Sequence, residues 1–283
     1  MSSAGAPGSR PSVAVAIPAY NEADGIAGFI AEIDAALAPV VSSLKLVVVD
    51  DASSDGTSAM LRDVEPTLSG DLEILANDVN RGHGPSVIAA YRRALELGPD
   101  FVLQVDGDGQ FLGSDLRRVL VLLTDDAHAV SGVRRFRQDP WFRMAMTRLV
   151  RSYVNASFGA YARDPNCPLR GYDAAVLQNL LPRVPDDSLV PNLYLTILAS
   201  RSGLPLLEFD VAHRVRRGRA AQGTTWGART RSPIPWRLVR FSLAALVESR
   251  AFARRIGPPR SVHGTGLPRQ HQAEQRALPH DPR

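Results

Sequence analysis

The stretch FVLQVDGDGQF, at residues 101–111, decides the fold. Its first five residues, Phe101 to Val105, form a short and mostly apolar run, which predicts a buried strand of a parallel sheet. The run ends in DGDGQ, where two carboxylates alternate with glycines. In open α/β sheets, ligands bind outside the carboxyl ends of the strands. An acidic turn at such a position therefore indicates a ligand site.

Similar apolar runs lie upstream, and segments with helical spacing separate them. Strands are predicted at Val13–Ile17, Leu44–Val49 and Leu72–Leu75, and helices at residues 22–38, 56–64, 83–97 and 114–123. Asp55 is the expected N-cap of the second helix. Strands that alternate with helices in this way predict an α/β fold with a mixed, mainly parallel sheet and helices on both faces.

The second half of the chain is less regular. We expect a short strand at His128–Ser131, one bent or two short strands at Leu204–Val215, and helices at Pro140–Phe158, Asp173–Leu181, Asn192–Arg201 and Pro235–Ile256. The predicted organisation is a disordered lead-in over residues 1–11, one domain over 12–226, a basic amphipathic helix within 227–256, and a disordered tail over 257–283.

Asp106, Asp108 and Gln110 form a D-x-D-x-Q cluster at the end of the fourth predicted strand. Two carboxylates on a glycine turn can face one hard cation. Mg²⁺ or Mn²⁺ prefers oxygen ligands and shares its shell with phosphate oxygens. An ion held there would neutralise charge on a departing diphosphate. A solvated acidic turn is the alternative, but the position at a strand end favours a metal site.

Polar residues follow the first two strands as well. Pro18, Tyr20 and Glu22 lie in PAYNE, and Asp51 directly follows VVV. Tyr20 could stack on a base, since an aromatic face is a suitable platform, or it could be half-buried packing. A carboxylate just past a buried strand, such as Asp51, could accept hydrogen bonds from a base or ribose, or it could serve a turn.

The third strand is followed by Gly82 and His83, directly before a predicted helix. Glycines there allow close backbone approach, and the N-terminus of a helix attracts anions. The dinucleotide fingerprint G-x-G-x-x-G is absent. His83 could instead be only the first residue of the helix.

Charge is unevenly distributed although the formal net charge is only +4. Most acids lie in the first 130 residues, and arginines dominate from Arg134 onward, which favours phosphate-bearing ligands. Nucleic acid is not the expected partner, because the acids at the strand ends would repel its backbone. Cys167 is the only cysteine, so no intramolecular disulfide forms. We expect neither a signal peptide nor a transmembrane helix, and a cytoplasmic location.

Taken together, these motifs resemble family 2 glycosyltransferases with a GT-A fold, close to the dolichol- and polyprenyl-phosphate sugar synthases. The resemblance covers about Val13 to Gly223, and its marks are IPAYNE at 17–22, VVVDDASSDGT at 47–57, NRGHG at 80–84, QVDGDGQF at 104–111, SGVR at 131–134, DPNCPLRGY at 164–172 and HRVRRGRAAQG at 213–223. Each mark is weak alone, and the ordered set is specific.

The resemblance implies roles for single residues of this chain. Pro18, Tyr20, Glu22 and Asp51 would hold the nucleotide. Asp106, Asp108 and Gln110 would bind the divalent ion and the donor diphosphate.

The same resemblance places arginines around the acceptor and the donor. Arg134 and Arg143 would gather the phosphate of the acceptor. Arg214 would belong to a loop that closes over the donor, although RRGRAAQG departs from the shorter family motif and leaves the contacts of that loop open.

A second departure concerns the acceptor. Many relatives that glycosylate hydroxyl groups place a Glu-Asp pair near the start of the helix that corresponds to Asn192–Arg201, whereas this chain has PNLYLT there. A phosphate acceptor is already anionic and needs no general base. The missing pair therefore favours a polyprenyl phosphate as acceptor, and the resemblance implies an inverting transfer of a hexose to it from a nucleotide-diphosphate sugar. The helix at 235–256 could lie on the cytoplasmic face of the membrane, or it could be an ordinary docked helix.

Two alternatives stay open. The acceptor could be a soluble hydroxyl compound or a polysaccharide end, with Asp186 or Asp187 as a displaced base. The chain could also be a non-catalytic protein that binds nucleotide sugars, although the intact D-x-D-x-Q cluster argues against that interpretation.

Overall fold

A computed structural model describes residues 10–125, 127–135, 152–160, 162–204, 206–212, 214 and 236–256. The strands in these ranges are β1 (Ser12–Ala19), β2 (Ser43–Asp50), β3 (Asp71–Ala76), β4 (Phe101–Gln104), β5 (Ala129–Arg135), β6 (Arg170–Asp173) and β7 (Leu207–Ala212). The helices are α1 (Ile26–Leu37), α2 (Thr57–Val64), α3 (His83–Glu96), α4 (Gly113–Thr124), α5 (152–158), α6 (Ala174–Leu180), α7 (Pro191–Arg201) and α8 (Trp236–Ile256).

In the described part of the chain, the strands form one sheet in the order β3-β2-β1-β4-β6-β5-β7. The pairs among β1, β2, β3 and β4 are all parallel, and so is the pair of β5 with β7. Only β6 runs antiparallel to its neighbours β4 and β5. This arrangement confirms the predicted mixed, mainly parallel α/β sheet.

Alternate residues of β1 face two separate apolar cores. Val13, Val15 and Ile17 pack in one core, which also contains the buried faces of α1 and α4. Ala14 and Ala16 pack in the other, which α3, α6, α7 and α8 cover. Both faces of the central strand are buried, which explains why its sequence is a continuous apolar run rather than an alternating one.

Several local expectations need correction. The N-cap of α2 is Gly56 rather than Asp55, and Gly56 lies in the left-handed region with a φ of +93°. Asp55 precedes the cap and accepts a hydrogen bond from the backbone N–H of Thr57 at 3.0 Å. Between Leu204 and Val215 the described residues form one strand, β7, beside β5, which agrees with the expectation of one strand rather than two for this segment. Strand β6 was not predicted, since RGYD is short and begins with an arginine.

Parts of the sequence-based prediction lie outside the described residues. They include Arg143, most of the helix expected at Pro140–Phe158, the end of the domain at residue 226, and most of both terminal segments. Helix α8 is described and runs from Trp236 to Ile256, close to the predicted bounds. Among the described helices, none combines the length and apolar character needed to cross a membrane.

Candidate active site

The acidic turn after β4 packs tightly against the end of β1. The backbone N–H of Gly107 donates to the carbonyl of Pro18 at 3.0 Å. A Cβ at position 107 would lie 3.0 Å from Ile26 Cδ1 and 3.2 Å from Ala19 Cβ, so only glycine fits without displacement. Gly109 supplies a positive φ of +68°. The two glycines therefore let the chain reverse at the carboxyl edge of the sheet with a carboxylate on either side of Gly107.

Asp106 is close enough to Asp108 to affect the ionisation of Asp108. Burial, followed by the negative charge of Asp106, raises the pKa of Asp108 to about 7, although the backbone N–H of Gln110 donates to its Oδ1 at 3.1 Å. Two hard carboxylates that repel each other suit a divalent cation, which removes the repulsion. The described residues contain no cluster of three or more His, Cys, Asp or Glu side chains that could hold a metal. An Mg²⁺ or Mn²⁺ ion beside these carboxylates could complete its shell with Gln110, water or donor phosphate.

His83 faces this turn from the first residue of α3. Its Nε2 lies 3.7 Å from Asp106 Oδ1, and about half of its side chain is exposed. Gly84, the next residue, contacts the segment before α7, because a Cβ there would lie 1.8 Å from the carbonyl oxygen of Ser188. The structure therefore joins the start of α3 both to the acidic turn and to the approach of α7.

Asp51 organises the loop before α3. Its side chain is buried, and its two oxygens accept the backbone N–H groups of Arg81 and Gly82, each at 2.8 Å, and Asn77 Nδ2 at 2.8 Å. Gly82 has a φ of +96°, which this sharp turn requires. The carboxylate predicted to hold a nucleotide is therefore also the anchor of the loop that begins α3.

The other residues expected to bind a nucleotide lie along the end of β1 and just past it. Tyr20 is 36% exposed, so part of its side chain is accessible to a stacking partner. Glu22 is buried, and its backbone N–H donates to Thr57 Oγ1 at 2.9 Å, which ties this loop to α2. Pro18 contributes the carbonyl that holds the acidic turn.

Arg134 lies at the end of β5 and is held by Asp164. Its Nε and Nη2 donate to the two oxygens of Asp164 at 2.7 and 2.9 Å, and Nη2 also approaches the carbonyl of Asn166 at 3.4 Å. Burial acts to lower the pKa of Arg134, but the Asp164 carboxylate more than offsets it and the pKa is raised. Arg134 also interacts electrostatically with Asp108, whose pKa it lowers, so its positive charge acts on the acidic turn.

Arg214 contacts the same turn through its backbone. Its N–H donates to the carbonyl of Gln110 at 2.9 Å, and Gln110 Nε2 approaches the carbonyl of Arg214 at 3.4 Å. The guanidinium points to α1 instead, where Nη2 donates to Glu32 Oε1 at 3.0 Å and to the carbonyl of Phe111. A contact between this guanidinium and a donor stays a prediction.

Sequence reasoning missed the buried polar residues beneath the site. Arg170 is completely buried, and its guanidinium donates to neutral oxygens: the carbonyls of Pro165 and Cys167 at 2.6 Å each, and Thr196 Oγ1 at 2.8 Å. Gln104 and Asn192 are buried and hydrogen-bonded to each other at 3.0 Å. The available signal was Gln104 itself, a polar residue inside the apolar run FVLQV.

Sheet order, helix placement and an acidic turn at the carboxyl edge define an α/β nucleotide-sugar transferase fold of the GT-A type. Residues 14–180 match the family model described as glycosyl transferase family 2. The chain therefore belongs to glycosyl transferase family 2.

Named relatives carry part of the same sequence. The undecaprenyl-phosphate 4-deoxy-4-formamido-L-arabinose transferase of Aeromonas hydrophila is 26% identical over 204 residues, which cover 72% of this chain and 60% of that protein. The transferase of the same name from Proteus mirabilis is 27% identical over 206 residues with the same coverage. The chain thus spans 60% of the length of these curated relatives.

Solved structures support the fold. The crystal structure of glucosyl-3-phosphoglycerate synthase from Mycobacterium tuberculosis in complex with Mn²⁺, uridine diphosphate and phosphoglyceric acid has a TM-score of 0.61 at 17% identity, and the match covers 89% of this chain and 80% of the synthase. The structure of that synthase with phosphoglyceric acid gives a TM-score of 0.59 at 18% identity. At such identities the likeness concerns the fold alone.

Proposed function

We propose that this protein transfers a sugar, expected to be a hexose, from a nucleotide-diphosphate donor to a polyprenyl phosphate, with inversion at the anomeric carbon. The observation that carries the proposal is the pair Asp106 and Asp108, held at the carboxyl end of β4 with mutual repulsion that a divalent cation would relieve. The named relatives, which are undecaprenyl-phosphate sugar transferases, support the choice of acceptor.

Asp106 and Asp108 would hold Mg²⁺ or Mn²⁺, with Gln110 beside them, and the ion would neutralise the leaving diphosphate. Tyr20 would stack on the base. Asp51, through the loop that it anchors, would shape the site for the ribose and phosphates.

In the chemical step, an oxygen of the acceptor phosphate attacks the anomeric carbon in line. The new C–O bond forms as the bond to the donor diphosphate breaks, and the diphosphate leaves with the electron pair. No proton has to move, because the acceptor is already an anion. Arg134, Arg143 and Arg214 would contribute positioning and positive charge rather than acid–base chemistry.

The start of α7 supports an acceptor that needs no base. Asn192 is 3% exposed, and both ends of its amide are engaged, by Gln104 and by Tyr91. Asp187, which could serve a hydroxyl acceptor instead, is exposed beside an open groove of about 530 Å³ that Leu189 and Leu243 also line. Transfer to a hydroxyl compound with Asp187 as the base is therefore the second candidate.

We also propose peripheral membrane contact through α8, at the cytoplasmic face. One side of α8 is packed, with Phe252 buried and its ring stacked on Tyr194 at 4.1 Å between centroids. On the outer side, Leu243 and Val247 are 57% and 65% exposed, and Arg240 is exposed on the preceding turn. Exposed apolar residues next to arginine suit the boundary of an anionic bilayer.

Flotation with vesicles that contain anionic lipid tests the membrane contact. The double variant Leu243→Ser, Val247→Ser should bind several-fold less than the parent, whereas Met60→Ser, which changes an exposed methionine on α2, should bind as the parent does. Equal binding by all three proteins would remove α8 as the contact.

The main test combines a panel of nucleotide sugars with undecaprenyl phosphate, in Mn²⁺ and in EDTA, and measures nucleotide release and glycolipid together. We expect metal-dependent glycolipid that Asp108→Asn reduces at least a hundredfold, while Asp63→Asn, an exposed carboxylate on α2, has no effect. Metal-dependent nucleotide release without glycolipid would move the acceptor to a hydroxyl compound, and Asp187→Asn should then abolish transfer. A protein that binds donor but never turns it over would be a non-catalytic binding protein.

A further inference from the structure

We infer that Gln104, Asn192 and Tyr91 form a buried relay of hydrogen bonds that positions the Asp106 carboxylate for the metal and donor. The inference rests on the proposed function, because it concerns the same acidic turn. It assigns positioning roles to three residues outside the D-x-D-x-Q cluster, and it connects α3 and α7 to the acidic turn.

The relay is continuous. Gln104 Nε2 donates to Asp106 Oδ1 at 3.1 Å, Asn192 Nδ2 donates to Gln104 Oε1 at 3.0 Å, and Tyr91 Oη donates to Asn192 Oδ1 at 3.2 Å. Gln104 and Tyr91 are fully buried, and Asn192 is 3% exposed. Water therefore has little access to these amides, and each depends on its neighbour for a partner.

The direction of donation is determined by chemistry. The Asp106 carboxylate accepts, so the Gln104 amide turns its nitrogen to Asp106 and its oxygen to Asn192. The Asn192 amide then turns its nitrogen to Gln104 and its oxygen to Tyr91, whose hydroxyl donates. Burial raises the pKa of Tyr91 well above its ordinary value, so the phenol keeps the proton that it donates. The last N–H group of the relay is thus directed at a carboxylate oxygen of Asp106.

Gln104 can direct that N–H at Asp106 because the strands on both sides of β4 hold its backbone in place. Gln104 pairs with Ala16 of β1 and with Arg170 of β6. Asn192 lies in the first turn of α7, where Thr196 Oγ1, one turn later, donates to its carbonyl at 3.0 Å. Two rigid elements therefore fix the two amides relative to Asp106.

The relay excludes a carboxylate at position 192. An ionised aspartate there could not donate to Gln104 Oε1, and two oxygens would face each other in a buried site. If the Gln104 amide rotated to relieve this repulsion, its oxygen would face Asp106 instead of its nitrogen. In either arrangement the hydrogen bond to Asp106 weakens or is lost. Asn192, at the start of α7, thus helps to hold the acidic turn and does not take a proton from an acceptor.

Two variants separate positioning from simple packing. Asn192→Asp, assayed at mildly alkaline pH so that the new carboxyl is ionised, removes the donor of one link with almost no change in shape. The triple variant Tyr91→Phe, Gln104→Met, Asn192→Leu replaces the whole relay by apolar groups of similar size, which leaves no member of the relay unsatisfied and should preserve folding. Gln178→Glu, an exposed amide on α6, controls for a change of charge.

Binding of Mn²⁺ in the presence of UDP or GDP is measured by loss of the EPR signal of free Mn²⁺, and thermal unfolding is followed in parallel without metal. We expect both relay variants to bind Mn²⁺ about tenfold more weakly, the range seen when a partner of a metal ligand is removed. The triple variant should unfold near the temperature of the parent, and Gln178→Glu should match the parent in both assays.

Parent-like Mn²⁺ affinity in either folded relay variant would overturn the relay while the metal site and the proposed function remain. A parent protein that binds no Mn²⁺ with either nucleotide would instead overturn the metal site, and the proposed role of the relay with it. If the triple variant fails to fold, Asn192→Asp still decides the question, since it keeps the shape of the side chain.

Discussion

Replacing Gly84 by alanine should disturb the site from a distance. A Cβ at this position would lie 1.8 Å from the carbonyl oxygen of Ser188 and 3.2 Å from the carbonyl carbon of Leu189. These are backbone atoms, so no side-chain rotation relieves the overlap. The segment before α7 must retreat by roughly 1.5 Å to restore an ordinary contact, at a cost of about 1–3 kcal/mol of unfolding free energy.

This retreat would reach the proposed metal-binding turn from two directions. His83, next to Gly84, lies 3.7 Å from Asp106. Helix α7, which carries Asn192 in its first turn, begins just after the displaced segment. A misplacement of about 1 Å can cost on the order of a hundredfold in rate. After a gain of about 1 kcal/mol from helix propensity, we expect Gly84→Ala to lose up to about 2 kcal/mol in urea unfolding and at least tenfold in glycolipid formation.

Gly98, just beyond the other end of α3, provides the matched control. It has a φ of +67° and open space around its Cα, so Gly98→Ala should cost about 1–2 kcal/mol of stability through backbone strain alone. Its activity should equal that of the parent. Parent-like activity in Gly84→Ala, or an equal loss of activity in both variants, would refute the argument from the contact with Ser188.

Three further predictions each concern one polar residue. Because burial and the charge of Asp106 raise the folded pKa of Asp108 to about 7, above its unfolded value, the metal-free protein should lose stability as pH rises from about 4 to 7. Thermal unfolding of Asp108→Asn should show a smaller slope over this range, and an equal slope would count against the shift. Arg170→Met should cost about 3 kcal/mol in urea unfolding, since several buried oxygens lose their donor; a loss below about 0.5 kcal/mol would contradict this. Asp51→Asn should weaken UDP binding in Mn²⁺ about tenfold by calorimetry, because an amide nitrogen would replace one of the two oxygens that accept the backbone N–H groups before α3. Unchanged affinity would mean that the loop does not depend on this carboxylate.

Local sequence patterns were sufficient to predict most of the strands and helices. The first four strands are apolar runs that end in polar turns, and the intervening helices have regular spacing, so both could be recognised without tertiary information. Strand β6 could not, because it has four residues and depends on pairing with β4, where Gly171 lies opposite Leu103. A Cβ on Gly171 would meet Val119 Cγ1 at 2.3 Å, which shows how closely α4 covers this strand.

Some residues of the candidate site could likewise be predicted from the sequence, and others could not. Asp106 and Asp108 could be identified from their spacing and their place after a strand. The partners that hold them could not, because Gln104 and Asn192 are 88 residues apart in the chain. The pairing of Arg134 with Asp164, and of Arg214 with Glu32, was equally out of reach, since a charge pattern does not say which opposite charge lies near in space.

By itself, the sequence determined the α/β class, the order of the elements and the position of the acidic turn, because these follow from local periodicity and from residues adjacent in the chain. Only the tertiary structure decided that Asp51 anchors the loop before α3, that Arg170 is buried among neutral oxygens, and that a relay of amides reaches Asp106 from α7. Those features arise where separate segments pack together. Burial then forces each polar atom to find a partner that sequence proximity does not specify.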